Sequence, residues 1–211
     1  MTYSEGEDLD TFLKANGVLT EKEARGVMIQ IFSGLKVLHT AEKPIIHYDL
    51  KPANLLINRG EIEITDFGLS KIAPNTSDHH VEPTSPGSGT YWYLPPESFA
   101  PGAGGATRVS PKVDVWSAGI IFFEMLFGRR PFGHGMSQDS ILRSGTILSA
   151  KEIDFPASPR VSDGCKDFIR RLLTYSAHER PDVNEVLQDA YIRAKVGSKR
   201  SPTREDNGEV K

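Results

Sequence analysis

The run "VWSAGIIFFEMLFG", Val115 to Gly128, would be apolar around almost the whole circumference of a helix. A helix with no polar face has to be surrounded by other elements, so this run sets the centre of whatever the chain folds into. It is too short for a bilayer span, which needs ~20 apolar residues, and it carries Glu124. The pattern therefore predicts a helix buried on most sides. A chain of 211 residues is long enough to build one domain with a substantial core around it.

The remaining totals narrow the function. A hydrophobic share of 38%, a charged share of 25% and a formal charge of -3 are ordinary for a globular chain and leave no basic excess to attract nucleic acid. Cys165 is the only cysteine, which excludes an internal disulfide and a cysteine-cluster zinc site and points to an intracellular protein. The opening "MTYSEGEDLD" is acidic and polar, unlike a secretory leader. Neither nucleic acid nor a membrane is expected as a direct partner.

Around the central run, "DLDTFLKANG" predicts a short helix stopped at Asn16 and Gly17. Thr20 and Glu23 form a capping box, and Ala24, Val27, Met28, Ile31, Leu35 and Leu38 follow at helical spacing. The period then changes. Leu55 to Ile57, the turn Asn58-Arg59-Gly60 and the alternation Glu61, Ile62, Glu63, Ile64 predict a β-hairpin. Asn54 precedes its first strand and Asp66 follows its second, so the two should be neighbours at its open end. Ser162 begins a helix with Cys165, Phe168, Ile169, Leu172 and Leu173 on one face, and Asp182 begins another with Val183, Val186, Leu187 and Ala190. Residues 74–89 are polar and turn-rich and are expected to form a mobile surface loop. Residues 1–194 are assigned to one domain, and 195–211 to a disordered polar tail.

Between the long helix and the hairpin lies "IIHYDLKPANLLI", Ile45 to Ile57. Asp49 offers a carboxylate able to accept a hydroxyl proton, and Lys51 an ammonium able to neutralise phosphate. Asn54 and Asp66 offer hard oxygens suited to Mg2+. These are the groups that phosphoryl transfer requires. A capped loop and hairpin without function, or a metal-dependent hydrolase using the same carboxylates, are the competing readings of these residues taken alone.

The ordered blocks around them resemble the protein kinases. His47-Tyr48-Asp49-Leu50-Lys51-Pro52-Ala53-Asn54 resembles the catalytic loop and Asp66-Phe67-Gly68 the magnesium-binding triplet. Gly89-Thr90 through Pro95-Pro96-Glu97 resembles the end of the activation segment, and Asp114 to Gly119 the start of the central helix. "IIHYDLKP", "EITDFGLSKI", "GTYWYLPPE" and "KVDVWSAGIIFFEMLFGRRPFGH" are similar more narrowly to the tousled-like serine/threonine kinases, over about Tyr3 to Ile192. The resemblance implies a protein-kinase-like fold, its large helical lobe only: mainly α with a short β-hairpin.

It also implies ATP and Mg2+ as cofactors and a protein carrying serine or threonine as substrate. Asp49, Lys51 and Thr90 would be catalytic, with Thr90 bracing the other two. Asn54 and Asp66 would hold magnesium, Asp8 would contact ribose, and Leu56 with Leu9 would lie beneath adenine. Arg180 would pair with Glu97. A nuclear location and a link to chromatin are implied by the resemblance alone.

Two departures qualify it. Kinases usually carry arginine where this chain has Tyr48, and that guanidinium commonly grips a phosphate on the activation loop. Phosphate on Thr84, Ser85 or Ser88 is therefore not expected to switch the protein through such a pocket. The family carries a small lobe ahead of the hinge, with a glycine-rich loop, a strand lysine and a helix glutamate; Met1 to Tyr3 are expected to align with the hinge, so these residues are expected to be the large lobe alone. Since one preorganised donor to a transition-state oxyanion is worth ~3 kcal/mol, these residues by themselves are expected to be inactive or nearly so. Leu9, Leu56 and Phe67 would then form an exposed face able to recruit a partner. A noncatalytic, kinase-derived interaction module is the alternative function.

Several conspicuous residues have plainer explanations. His47 is expected to be a core histidine bonded to backbone, His79 and His80 to be solvated, and Cys165 to be packing. The pairs Arg129-Arg130 and Arg170-Arg171 could form a docking patch, but are expected to be solvated or ion-paired.

Overall fold

The computed structural model describes residues 6–73, 89–99 and 109–194. Along the chain the helices are α1 (Leu9–Asn16), α2 (Glu21–His39), α3 (Lys112–Phe127), α4 (Gln138–Ser144), α5 (Asp163–Leu172), α6 (Val183–Gln188) and α7 (Ala190–Arg193). The strands are β1 (Glu7–Asp8), β2 (Ile45–Ile46), β3 (Leu55–Asn58), β4 (Glu61–Ile64) and β5 (Lys71–Ile72). This is the mainly helical architecture with a small hairpin that the sequence led us to expect.

Helix α3 is the axis. Every residue from Val113 to Phe127 except Glu124 is buried. Helices α2 and α5 pack on it, and α6 packs on α2. Gly119 allows the α5 contact to be close, because a Cβ there would lie 2.8 Å from Leu173 Cδ2 and 2.9 Å from Leu172 Cβ. Large apolar side chains such as Met28, Phe32, Phe122 and Phe168 fill the space between helices, each contributing roughly 1.5–3 kcal/mol by leaving water.

Helix α2 begins as its sequence dictates: Thr20 accepts from Glu23 N–H, and the Glu23 carboxylate accepts from Thr20 N–H. Its inner face is Ala24, Met28, Ile31, Phe32 and Leu35, with Val27 and Leu38 partly buried beside it. Gln30 reaches from this helix to the hairpin, donating to Gly60 O at 3.1 Å and accepting from Ile62 N–H at 2.9 Å. Strands β3 and β4 pair in the register Leu55 with Ile64 through Asn58 with Glu61. Arg59 and Gly60 turn between them at φ 51° and 86°, the two positive values a tight right-twisting hairpin needs.

Three features depart from expectation. The hairpin is part of a three-stranded sheet, because β1 adds antiparallel to β3, and β2 pairs with β5 in a second small sheet. Ala190 does not continue the helix begun at Asp182. Asp189 interrupts it at ψ 136° and caps α7 by accepting from Tyr191 N–H at 2.8 Å, while Arg171 holds the same carboxylate at 2.7 and 3.0 Å. Leu9 is the third correction: it is fully buried at the head of α1 within the main core, so it does not contribute to an exposed face. The loop expected over 74–89, apart from Gly89, lies outside the described residues, as do His79, His80, Met1 to Tyr3 and the tail from 195.

Candidate active site

Asp114, in the first turn of α3, is wholly buried. Its Oδ1 accepts from Tyr48 N–H at 2.9 Å, and its Oδ2 accepts from His47 N–H at 2.9 Å and lies 2.8 Å from His39 Nε2. These bonds hold Tyr48 at φ 68°, a left-handed conformation that costs a bulky residue roughly 1–2 kcal/mol. The Tyr48 ring is 1% exposed and packs with Ile46, Ala73, Leu94, Val109 and Val113. Burial pushes its hydroxyl pKa up, with Ser98 pulling the other way. Where an arginine would present charge, this chain has a plug of apolar core.

That backbone turn delivers Asp49, 8% exposed. Its Oδ1 accepts from Thr90 N–H at 3.0 Å and Thr90 Oγ1 at 2.8 Å, and its Oδ2 accepts from Lys51 Nζ at 2.6 Å. Lys51 Nζ also donates to Thr90 Oγ1 at 3.1 Å. The three residues expected to be catalytic thus form one closed network, drawn from two segments far apart in sequence.

Asn54 joins it by donating Nδ2 to Asp49 O at 2.8 Å and, more weakly, to Asp49 Oδ2 at 3.4 Å. Its amide nitrogen is committed there, which leaves Oδ1 as the atom a cation can use. Across the open end of the hairpin Thr65 donates N–H and Oγ1 to Asn54 O at 2.9 and 3.2 Å, so Asp66 follows one residue beyond the pairing. Asp66 stands at φ 58°, is exposed, and accepts from Gly68 N–H at 3.2 Å. Two hard oxygen donors carried by adjacent backbones suit Mg2+, which completes its octahedron with water and phosphate oxygens.

His47 is completely buried, places Nε2 2.8 Å from Thr65 O and packs edge-on against Phe67 with ring centroids 5.1 Å apart. The expected backbone-bonded histidine is therefore present, joining the Asp49 loop to the Asp66 segment. Of the residues expected to contact a nucleotide, Asp8 and Leu56 face each other in register across β1 and β3, with Leu56 half-buried. Each Asp8 oxygen accepts one bond from Thr11, from N–H at 2.9 Å and from Oγ1 at 2.8 Å, and keeps a further lone pair free to accept. The Thr11 N–H holds this carboxyl below its usual range.

Arg180 is completely buried and grips Glu97 through two bonds, 2.7 and 3.1 Å, as expected. It also donates to Thr174 O and Lys112 O at 3.0 and 3.1 Å and covers Trp116. Cys165 is buried, and desolvation pushes its thiol up to about 12, which fits packing rather than reactivity. Asp114 and His39 are the site residues that the sequence reading missed. The available signal was a carboxylate opening an otherwise apolar helix, where only an internal partner can satisfy it.

The protein kinase domain family matches residues 1–192. The chain belongs to that family. It is 51% identical over 199 residues to "Serine/threonine-protein kinase tousled-like 2" of Xenopus tropicalis and 51% identical over 195 residues to "Serine/threonine-protein kinase TOUSLED" of Arabidopsis thaliana, covering 91% of this chain and 28% of each relative. It is 50% identical over 198 residues to "Serine/threonine-protein kinase tousled-like 1" of Homo sapiens, again over 91% of this chain and 26% of the relative. The chain thus spans 26–28% of the length of these curated relatives. Among the described residues no helix is long and apolar enough to cross a membrane.

Proposed function

We propose that this chain is the large lobe of a tousled-like serine/threonine kinase that transfers the γ-phosphoryl group of ATP to protein hydroxyls. The observation that carries the reading is the Asp49 network: a nearly buried carboxylate held by Thr90 and Lys51 beside Asn54. Asp49 would orient the acceptor hydroxyl and take its proton, Lys51 would neutralise the moving phosphoryl group, and Thr90 would fix both. Asn54 Oδ1 and the Asp66 carboxylate would hold Mg2+, which would neutralise charge on the nucleotide phosphates. Leu56 would lie under adenine and Asp8 beside ribose. A nuclear setting belongs to this proposal only through the likeness to tousled-like kinases.

The second reading, a kinase-derived module that binds protein partners without turnover, is favoured by Phe67 and Ile72, which are 43% and 64% exposed. The two are separated by titrating a fluorescent ATP analogue into the chain with and without Mg2+, followed by transfer of labelled phosphate to a mixed serine peptide. Magnesium-dependent binding lost in Asp66→Ala is expected, together with phosphate transfer by these residues alone at or near background, because the small-lobe donors are not among them. Binding indifferent to both Mg2+ and Asp66→Ala overturns the kinase reading in favour of the module.

A further inference from the structure

Arg130 differs from the three other arginines in its two sequence pairs. Arg129 has Asp154 at 3.4 Å, Arg170 has Asp167 at 2.7 Å and Arg171 has Asp189 at 2.7 Å. The carboxylate nearest Arg130 is Glu124 at 4.0 Å, and the other Glu124 oxygen already accepts from the Tyr93 hydroxyl at 2.6 Å. Burial raises the Glu124 pKa, which further weakens it as a counter-charge. The Arg130 guanidinium lies over Trp92, 4.3 Å from the ring centroid, closer than Arg170 over Phe155 at 5.0 Å or Arg171 over Phe168 at 5.9 Å, and its buried Nε, like that of Arg129, has no hydrogen-bond partner among the described residues. Its side chain is 20% exposed. A guanidinium stacked on an indole, whose ion pair is a 4.0 Å approach to a carboxylate already engaged by Tyr93, has donors left to take a closer anion, because the aromatic face fixes its plane and its donors fork toward a carboxylate or phosphate.

The position gives that anion a source. Thr90 contacts Asp49, and Trp92 follows two residues later, a reach of roughly 7 Å between Cα atoms at most. The intervening segment is pinned, with Tyr91 N–H donating to Gln138 at 2.9 Å and Trp92 Nε1 donating to Gly133 O at 3.0 Å. A peptide whose hydroxyl sits at Asp49 would therefore carry one of its flanking side chains past Arg130. We propose that Arg130, stacked on Trp92, determines specificity by pairing with an anionic side chain, carboxylate or phosphate, that flanks the acceptor residue of a substrate peptide. The proposal rests on the kinase reading above.

The test is binding, so that slow turnover cannot mask it. Labelled serine peptides in an alanine background, with Asp, phosphoserine or Lys placed at successive flanking positions, are titrated into the full chain by fluorescence anisotropy. At one position Asp or phosphoserine is expected to tighten binding roughly tenfold, the scale of one charge-assisted pair, and the stronger of the two identifies the anion. The gain is expected to fall to within about twofold in Arg130→Gln and to survive in Arg170→Gln. Should Arg130→Gln lose its near-UV circular dichroism, Arg130→Lys, which keeps charge but not the planar fork, is expected to retain only a minor part of the gain. An anion without effect at every position, or a gain that survives both Arg130 variants, overturns the proposal and leaves the kinase reading standing. Failure of every peptide to bind, the Lys series included, overturns both.

Discussion

The two halves of the candidate site are built on opposite principles. Around Asp49 the donors and acceptors are buried and mutually satisfied, anchored through Asp114 to the most deeply buried helix. Around Asp66 the same few residues of chain stand in solvent, with Asp66, Phe67 and Gly68 all exposed. A proton acceptor gains from fixed geometry, since proton transfer tolerates little misplacement. A cation ligand needs room for water and for the phosphates it shares. On the reading proposed above, one half is held by the fold and the other would be completed by what it binds.

The largest test of that contrast is Asp114→Ala against Asp66→Ala. Removing Asp114 strands two buried backbone N–H groups and the His39 ring, and a loss of about 3–5 kcal/mol in urea unfolding is expected. Asp66→Ala should stay within ~0.5 kcal/mol. Equal losses would erase the distinction between the halves.

A smaller difference is expected between Arg180→Met and Arg170→Met. The first removes a fully buried guanidinium and leaves the Glu97 carboxylate without its partner, and should cost about 3 kcal/mol. The second removes an exposed ion pair and should cost less than ~0.5 kcal/mol. A double-mutant cycle of Arg180 with Glu97 that returned no coupling would show the pair to be incidental.

Asp8 gives the smallest effect, with a pH signature. Its folded-state pKa lies below the ordinary 3.8, so its contribution is present above that value and disappears as pH falls through the folded pKa. Asp8→Ala should cost about 1 kcal/mol near neutrality as a lost helix cap, and the gap should close progressively below pH 3.8. A gap that widened on acidification would contradict the cap as the source of the shift.

Much of this arrangement could be read from sequence because strong local signals and tertiary packing agree. The Thr20 and Glu23 box, the Arg59-Gly60 turn and the apolar run of α3 each specify an element and its burial. Asp49, Lys51, Thr90 and Asn54 could be listed from residue type and resemblance, and the fold brings them together. Strands β1, β2 and β5 were not legible, since two residues have no period and pair only when a distant strand arrives. Leu9 was misplaced because an apolar residue after a polar stretch fits a core and an exposed face equally well. The break at Asp189 depends on Arg171, which is remote in sequence. Asp114 was seen as the opening of a helix, but its partners lie at His39, His47 and Tyr48, and no spacing rule connects them.

The imidazole of His47 has one more consequence. It spans from the Asp49 loop to Thr65 O and, with the Thr65 bonds to Asn54 O, ties that loop to the segment that carries Asp66. On the reading proposed above, a motion of Asp66 would have to carry the Asp49 loop with it or break this bond together with those from Thr65 to Asn54 O, so the two chemical steps would share a common mechanical gauge.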